Sequence, residues 1–313
     1  MTYHTYLPVI IGEPNFPIGV QLEIYNNVEI QARYIGSRSW IYYHIYWGTV
    51  EKIKDIYDWT VPDNDMLYLN RFYKTINIKT SPYWSRIYPE SECSPPKEEY
   101  IENLANFCIK VIERYSPKAI YIWNEPEVDP ILAHNNHWDH YLGGFGPYKT
   151  MAQYYGTIIK EIYKKIKPIY RKVLLIAGEM LFGELSGGDL NYSIDWWNNA
   201  KLNCEGYYDA VSFHAYPQRL EDFDLVNIQA NKLKTESNEQ NIWCTETSYI
   251  TRSDGTYDPT FETDQTNYLS YIVNNNSVNQ LAWYALMGNW RRCGLIENNI
   301  LKPVYYKYRE LTL

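Results

Sequence analysis

The chain has 313 residues, with 45% hydrophobic and 21% charged residues, and 29 basic against 37 acidic groups give a formal net charge of -8. That balance excludes disorder and fibrous repeats, and the acidic excess argues against nucleic acid as a partner, because neutralising phosphates needs a basic face. No apolar run reaches the roughly 18–20 residues of a membrane span. Met1 to Leu7 lacks a basic segment leading into an apolar stretch, so the expectation is a cytoplasmic protein or one exported without a classical signal. Oligomeric state is not legible.

Eight strand-like runs follow in chain order. The first is Ile18 to Leu22, the second Ser39 to Tyr46 and the third Tyr73 to Thr80. The fourth is Lys118 to Trp123, the fifth Lys172 to Ala177 and the sixth Ala210 to His214. Asn241 to Thr245 and Gln280 to Leu286 complete the set. Between them lie amphipathic windows, clearest where Ile101, Leu104, Ala105, Cys108, Val111 and Ile112 recur at three- and four-residue steps. Met151, Tyr155, Ile158, Ile159, Ile162 and Ile166 repeat the pattern, with Lys160, Lys164 and Lys165 on the solvated face. Short strands alternating with helices predict an α/β chain with a parallel sheet. An open doubly wound sheet would want a Gly-rich phosphate loop after an early strand, and Glu23 to Asn27 is not one. The prediction is a single (β/α)₈ TIM barrel over residues 1–313, with 1–15 as an amino-terminal extension packing on or near the barrel bottom.

Candidate chemistry gathers at the carboxyl ends of these strands. Trp123-Asn124-Glu125-Pro126 ends the fourth strand by presenting Asn124 and then a carboxyl group, Glu125. Thr245-Glu246-Thr247 ends the seventh with a second, Glu246. Two carboxylates on facing strand ends are what glycosidic cleavage needs: one protonates the leaving oxygen and the other attacks the anomeric carbon. Their environments are expected to push the acid's pKa up and the nucleophile's down. In the sixth run His214 and Tyr216, two residues apart, share a face, and Tyr42 and His44 repeat that spacing on the second. Trp283 is either the floor of a sugar site or a core residue. Trp47, Trp84, Trp138, Trp196, Trp197 and Trp290 fall in or near strand-to-helix loops and would serve as platforms for several sugar units.

Metal chemistry is not expected. His134, His137 and His140 stand at three-residue steps, but a substrate-flanking loop is the better reading of that stretch. The five cysteines, Cys93, Cys108, Cys204, Cys244 and Cys293, form no CxxC or finger spacing. No cofactor is implied. The 33 Tyr and 11 Trp against 8 Phe suit half-wet surfaces that stack on sugars, and an A/T-rich codon bias yields the same excess.

These residues resemble glycoside hydrolase clan A, the retaining (β/α)₈ glycosidases. The likeness runs through Ile56 to Trp59, Trp123 to Pro126, Asp209 to Pro217, Thr245-Glu246, Trp283-Tyr284 and Lys302 to Tyr306. The His-Ala-Tyr-Pro run and Tyr42-x-His44 look most like family thirty-nine, the β-xylosidase and α-L-iduronidase group, with family five as rival. The resemblance implies Glu125 as acid/base, Glu246 as nucleophile, Asn124 on the sugar 2-hydroxyl, and His214 with Tyr216 lining the catalytic subsite. It implies a β-linked oligo- or polysaccharide as partner. Two departures stand out. Tyr42 occupies the place of an Arg usual in the clan, with Arg38 and Arg291 as candidate substitutes, and the expectation is a barrel without the β-sandwich common in family thirty-nine. The rival reading is a weak or inactive carbohydrate-binding barrel, such as a surface or particle-coat protein.

Overall fold

Strands rich in β-branched and aromatic residues, each followed by a helix with one apolar stripe, close on themselves when every strand can be covered from outside. The computed structural model of the chain describes residues 18–22, 27–91, 94–127, 148–182, 190–251, 259–287 and 292–313. The strands are β1 (Gly19–Gln21), β2 (Trp40–Tyr46), β3 (Tyr73–Lys79), β4 (Ala119–Ile122), β5 (Leu174–Phe182), β6 (Ala210–Ala215), β7 (Ile242–Thr247) and β8 (Gln280–Trp283). They form a closed barrel in chain order. The seam is parallel, with Gly19 opposite Ala282 and Val20 opposite Trp283. This is the (β/α)₈ barrel that the alternating pattern predicts.

The helices are α1 (Val28–Tyr34), α2 (Trp47–Val50), α3 (Thr60–Leu69), α4 (Ile101–Tyr115), α5 (Tyr148–Ile166), α6 (Leu190–Cys204), α7 (Leu225–Glu236), α8 (Phe261–Asn275) and α9 (Pro303–Thr312). The two stripes read from the sequence are the buried faces of α4 and α5. Among the described residues no helix is long and apolar enough to cross a membrane.

Strand alternation sorts side chains into two layers. Ile41, Tyr43 and Ile45 of β2 join the large outer cluster under the helices. Trp40 and Tyr42 face inward, with Tyr121, Ile176, Ala210, Trp243 and Ala282 in a separate cluster that plugs the barrel. Regular alternation breaks on the later strands. The ladder slips at Gly178–Met180 between β5 and β6, at Phe213–His214 between β6 and β7, and at Cys244–Thr247 between β7 and β8. Gly178 has φ +100 and Glu179 φ +56. A Cβ on Gly178 would meet the Ser212 carbonyl oxygen at 2.6 Å, so only glycine allows this bulge. Strand β5 consequently runs on to Phe182 instead of stopping at Ala177 as its sequence suggests.

The expected amino-terminal extension 1–15 and the histidines 134, 137 and 140 lie outside the described residues, as do Trp138, Trp290, Arg291 and Cys93.

Helices α5 and α6 touch at Gly156, where a Cβ would fall 2.1 Å from the Ala200 carbonyl oxygen. Gly156→Ala should therefore destabilise the protein by about 1–3 kcal/mol through overpacking. Helix propensity alone favours Ala by about 1 kcal/mol. Urea denaturation decides between the two: an increase in stability would show that the contact relaxes freely.

Candidate active site

Glu125 reaches the barrel mouth through a tight turn. The chain leaves β4 with Trp123 at φ 74 and Glu125 at φ 46, both left-handed. The Glu125 amide donates to the Glu179 carbonyl at 2.9 Å, which pins this turn to β5. Glu246 comes up through the bulge on β7. Both carboxyl groups are buried, 6% and 5% exposed respectively. Beside Glu125, the fully buried Glu127 accepts from the Leu181 amide and, at 3.3 Å, from the Ser193 hydroxyl, tying the end of β4 to β5 and α6. Burial holds the Glu127 carboxyl well above the ordinary range.

His214 stands between the two strand-end glutamates. Its Nδ1 lies 2.8 Å from Glu125 Oε1 and 3.5 Å from Glu246 Oε2. Its Nε2 lies 3.0 Å from Oε2 of Glu179, a third glutamate with no exposed surface. Burial alone would lower the imidazole's pKa, but the Glu246 charge and the hydrogen bonds to Glu125 and Glu179 outweigh it and carry the pKa well above 6.5. The three carboxyl groups around the ring thus favour its charged form.

Tyr216, one pleat further along, donates its hydroxyl to Glu246 Oε2. Glu246 departs from the expected direction. Burial raises its pKa above the ordinary 4.5, the His214 charge pulls it back, Glu125 adds to the rise, and Lys79 and the Tyr216 bond oppose it. A nucleophile with a depressed pKa was the sequence expectation; desolvation in the plugged barrel reverses the sign.

Other predicted residues separate. Asn124 is half-buried beside Glu125, and its Oδ1 has no hydrogen-bond partner among the described residues. His44 is buried and faces Gln21, Nε2 to Nε2, at 2.7 Å. Tyr42 is not a mouth residue. It is fully buried, with its ring 4.3 Å from Trp40 and 5.2 Å from Tyr121. Strand β2 continues to Tyr46, so Tyr42 lies roughly 13 Å short of the strand end, at about 3.3 Å per residue.

Trp283 is likewise a core residue and not a sugar floor. Ala282 takes the inward position on β8, so Trp283 faces the helices, donating its indole N–H to the Cys293 carbonyl at 3.0 Å. Tyr284 turns inward instead, its ring 5.9 Å from that of Tyr216. Trp47, Trp196 and Trp197 are fully buried and cannot act as platforms. Arg38 is exposed just before β2, at the end of the barrel opposite the site, so it cannot replace a missing arginine.

Sequence reading overlooked two residues. Lys79, the last residue of β3, supplies the cation that acts on Glu246. Glu179 lies two residues beyond the predicted end of the fifth strand. The Gly178-Glu179 pair was its one visible signal, a carboxylate after the residue most tolerant of a bulge.

One coordinating atom from each of Glu125, His214 and Glu246 lies within 4.8 Å of the others, a spacing that a metal ion could bridge. The same three groups make close contacts with one another, His214 Nδ1 at 2.8 Å from Glu125 and 3.5 Å from Glu246, as an ion-pair network does.

The closed parallel barrel brings two buried glutamates, Glu125 and Glu246, to the carboxyl ends of its fourth and seventh strands. Residues 156–303 match the family model described as glycosyl hydrolase catalytic core. The match covers 148 of the 313 residues; over nearly the whole chain it is the barrel fold that is shared with solved glycoside hydrolases. Similar solved structures include a family 39 glycoside hydrolase from the gut symbiont Bacteroides cellulosilyticus, at 17% identity and TM-score 0.61, covering 95% of this chain and 63% of that one. A glycoside hydrolase family 30 subfamily 8 xylanase from Clostridium acetobutylicum has 14% identity and TM-score 0.59, covering 94% and 70%. A glucosidase from Croceicoccus marinus has 8% identity and TM-score 0.66, covering 94% and 66%. The chain thus spans 63% of the length of the family 39 enzyme. No curated protein matches it in sequence.

Because the Tyr216 bond lowers the Glu246 pKa, Tyr216→Phe should raise it. Hydrogen bonds to charged groups contribute about 1.5–3 kcal/mol, or roughly one to two pH units. Carbon-13 NMR titration of the glutamate carboxyls in both proteins measures the shift; an unmoved Glu246 would show that the bond carries no charge stabilisation.

Proposed function

We propose that residues 1–313 act as one catalytic barrel that hydrolyses β-glycosidic bonds with retention, by double displacement. The observation that carries this reading is the approach of the Glu125 and Glu246 oxygens to within 4.8 Å across the mouth. Retaining enzymes hold their carboxyl groups about 5–5.5 Å apart, whereas inverting enzymes leave about 6.5–9.5 Å for a water. Glu125 gives its proton to the leaving oxygen while a Glu246 oxygen attacks the anomeric carbon and the glycosidic bond breaks. Glu125, now a carboxylate, takes a proton from water, whose oxygen displaces Glu246 from the sugar.

The roles follow from position. Glu125 stands at the end of a left-handed turn, where a side chain projects over the mouth. Glu246 accepts from Tyr216 and faces the His214 charge, which keeps an oxygen ionised for attack. Asn124, with an uncommitted carbonyl oxygen, is the candidate to bind a sugar hydroxyl next to the reacting carbon. A β-linked oligo- or polysaccharide is the proposed substrate. Tyr83, 69% exposed in the loop after β3, and half-buried Trp84 offer aromatic surface on the mouth side for further sugar units.

Incubation with an activated 2-fluoro glycoside should label Glu246, detected by peptide mass spectrometry, and proton NMR of the first product should show retained configuration. Inversion would sink the mechanism; oligosaccharide binding without labelling or turnover across a broad glycoside panel would favour a binding-only barrel. Glu246→Ala should abolish turnover. Glu125→Ala should spare aryl glycosides with good leaving groups far more than natural substrates, since good leaving groups need little protonation.

A further inference from the structure

Glu179 takes no direct part in the proposed double displacement, yet it is among the most completely enclosed charged side chains of the barrel. It is fully buried under the two candidate catalytic carboxylates. Its Oε1 accepts from the Ser212 hydroxyl at 2.5 Å and from the Thr245 hydroxyl at 2.7 Å. Its Oε2 faces His214 Nε2 at 3.0 Å. Two hydroxyl donors on one oxygen and an imidazole nitrogen on the other are partners that suit a carboxylate facing a ring N–H. The Ser212 hydroxyl also accepts from the Glu179 amide at 3.1 Å, so the bulge that turns Glu179 inward and the group that receives it form one unit.

We propose that Glu179 is a positioning residue that locks His214 as a permanent imidazolium, and that this fixed cation serves whichever of Glu125 and Glu246 bears the negative charge. The inference rests on the retaining reading for its catalytic part only. With Glu179 holding the Nε2 proton, Nδ1–H points to the gap between Glu125, at 2.8 Å, and Glu246, at 3.5 Å. In the free enzyme Glu246 is the anion and Glu125 carries the acid proton. Once the sugar is esterified to Glu246, Glu125 has lost its proton to the leaving group and becomes the anion. The total charge of the four groups is the same in both states, and the imidazolium need not move or change protonation. A cation already in place costs no reorganisation at either step.

The acidic groups facing the imidazole are Glu125 and Glu127 beside β4, Glu179 on β5 and Glu246 on β7. Tyr216 and Lys79 act on it indirectly, through Glu246. Without Glu179 the imidazole would still have three acidic neighbours, but nothing would hold the Nε2 proton in an enclosed site. Burial would then favour the neutral ring.

Nitrogen-15 NMR of histidine-labelled protein tests this without reference to activity, with the His214 signals assigned by their loss in His214→Asn. In the native chain both ring nitrogens should show imidazolium shifts at pH 8, well past the ordinary value of 6.5. In Glu179→Gln, a near-isosteric change, the ring should titrate to neutral below pH 8; Glu179→Asp, which keeps the charge, should retain the imidazolium. A neutral His214 in the native protein, or a charged one in Glu179→Gln, would overturn the proposal.

The kinetic arm uses an aryl glycoside. Glu179→Gln should lower kcat/KM by about ten- to hundredfold and move the acid limb of its pH profile upward, because Glu246 loses its counter-charge. Glu179→Asp should recover most of the rate and the native limb. An unshifted limb with a merely lower rate would mark Glu179 as structural. Should no glycoside be cleaved while the NMR behaves as stated, the hydrolase reading fails and the Glu179–His214 assignment stands.

Discussion

An imidazole enclosed by three glutamates is the constraint around which the barrel mouth is organised. Taking one ion out of water costs several kcal/mol, and an unpaired one would neutralise or unfold its surroundings. Here the cost is offset because His214 has a carboxylate on each nitrogen and a third within 3.5 Å. Each glutamate in turn needs its own partners: hydroxyls for Glu179, a phenol for Glu246, a pinned turn for Glu125. The network stands on four successive strands, β4 to β7, whose ends are far apart in sequence and meet only in the assembled sheet.

Regular strands would not suffice. Strict alternation points every second side chain inward, giving each strand one functional residue per pleat. The slips on β5, β6 and β7 relax that rule. On β7 the result is that consecutive residues both serve the interior, Thr245 bonding Glu179 while Glu246 faces His214. On β5 the bulge turns Glu179 inward where parity with Leu175 and Ala177 would have sent it under the helices. Bulges at such sites re-aim side chains at the expense of local pairing, and the three successive slips lie at the level of the charged network.

The aromatic abundance has a mainly structural explanation. Trp47, Trp196, Trp197 and Trp283 are buried in the core. Tyrosine hydroxyls act as struts: Tyr155 bonds the Ile122 carbonyl and the Gly178 amide, bracing the ends of β4 and β5 where Glu125 and Glu179 arise. Rings with a polar edge fill volume and close hydrogen bonds together, which a chain with 8 Phe among its 52 aromatic residues (33 Tyr, 11 Trp) uses throughout.

The alternation of β-branched runs with 3.6-period stripes was enough to define eight strands, their order and the closed barrel, because burying both faces of a parallel sheet leaves few arrangements. Glu125, Glu246, His214 and Tyr216 were legible too, since each ends or nearly ends a strand, and strand ends in this fold converge. What sequence could not supply was the facing of individual side chains once the ladder slips. Parity misplaced Trp283, strand length misplaced Tyr42, and a bulge concealed Glu179 beyond the predicted end of β5. Burial, too, is a property of the assembled barrel: it raised the Glu246 pKa where chemistry alone suggested a lowered one. Elements and their order follow from local periodicity, but orientation and charge state are set by neighbours that the chain brings together only when the barrel closes.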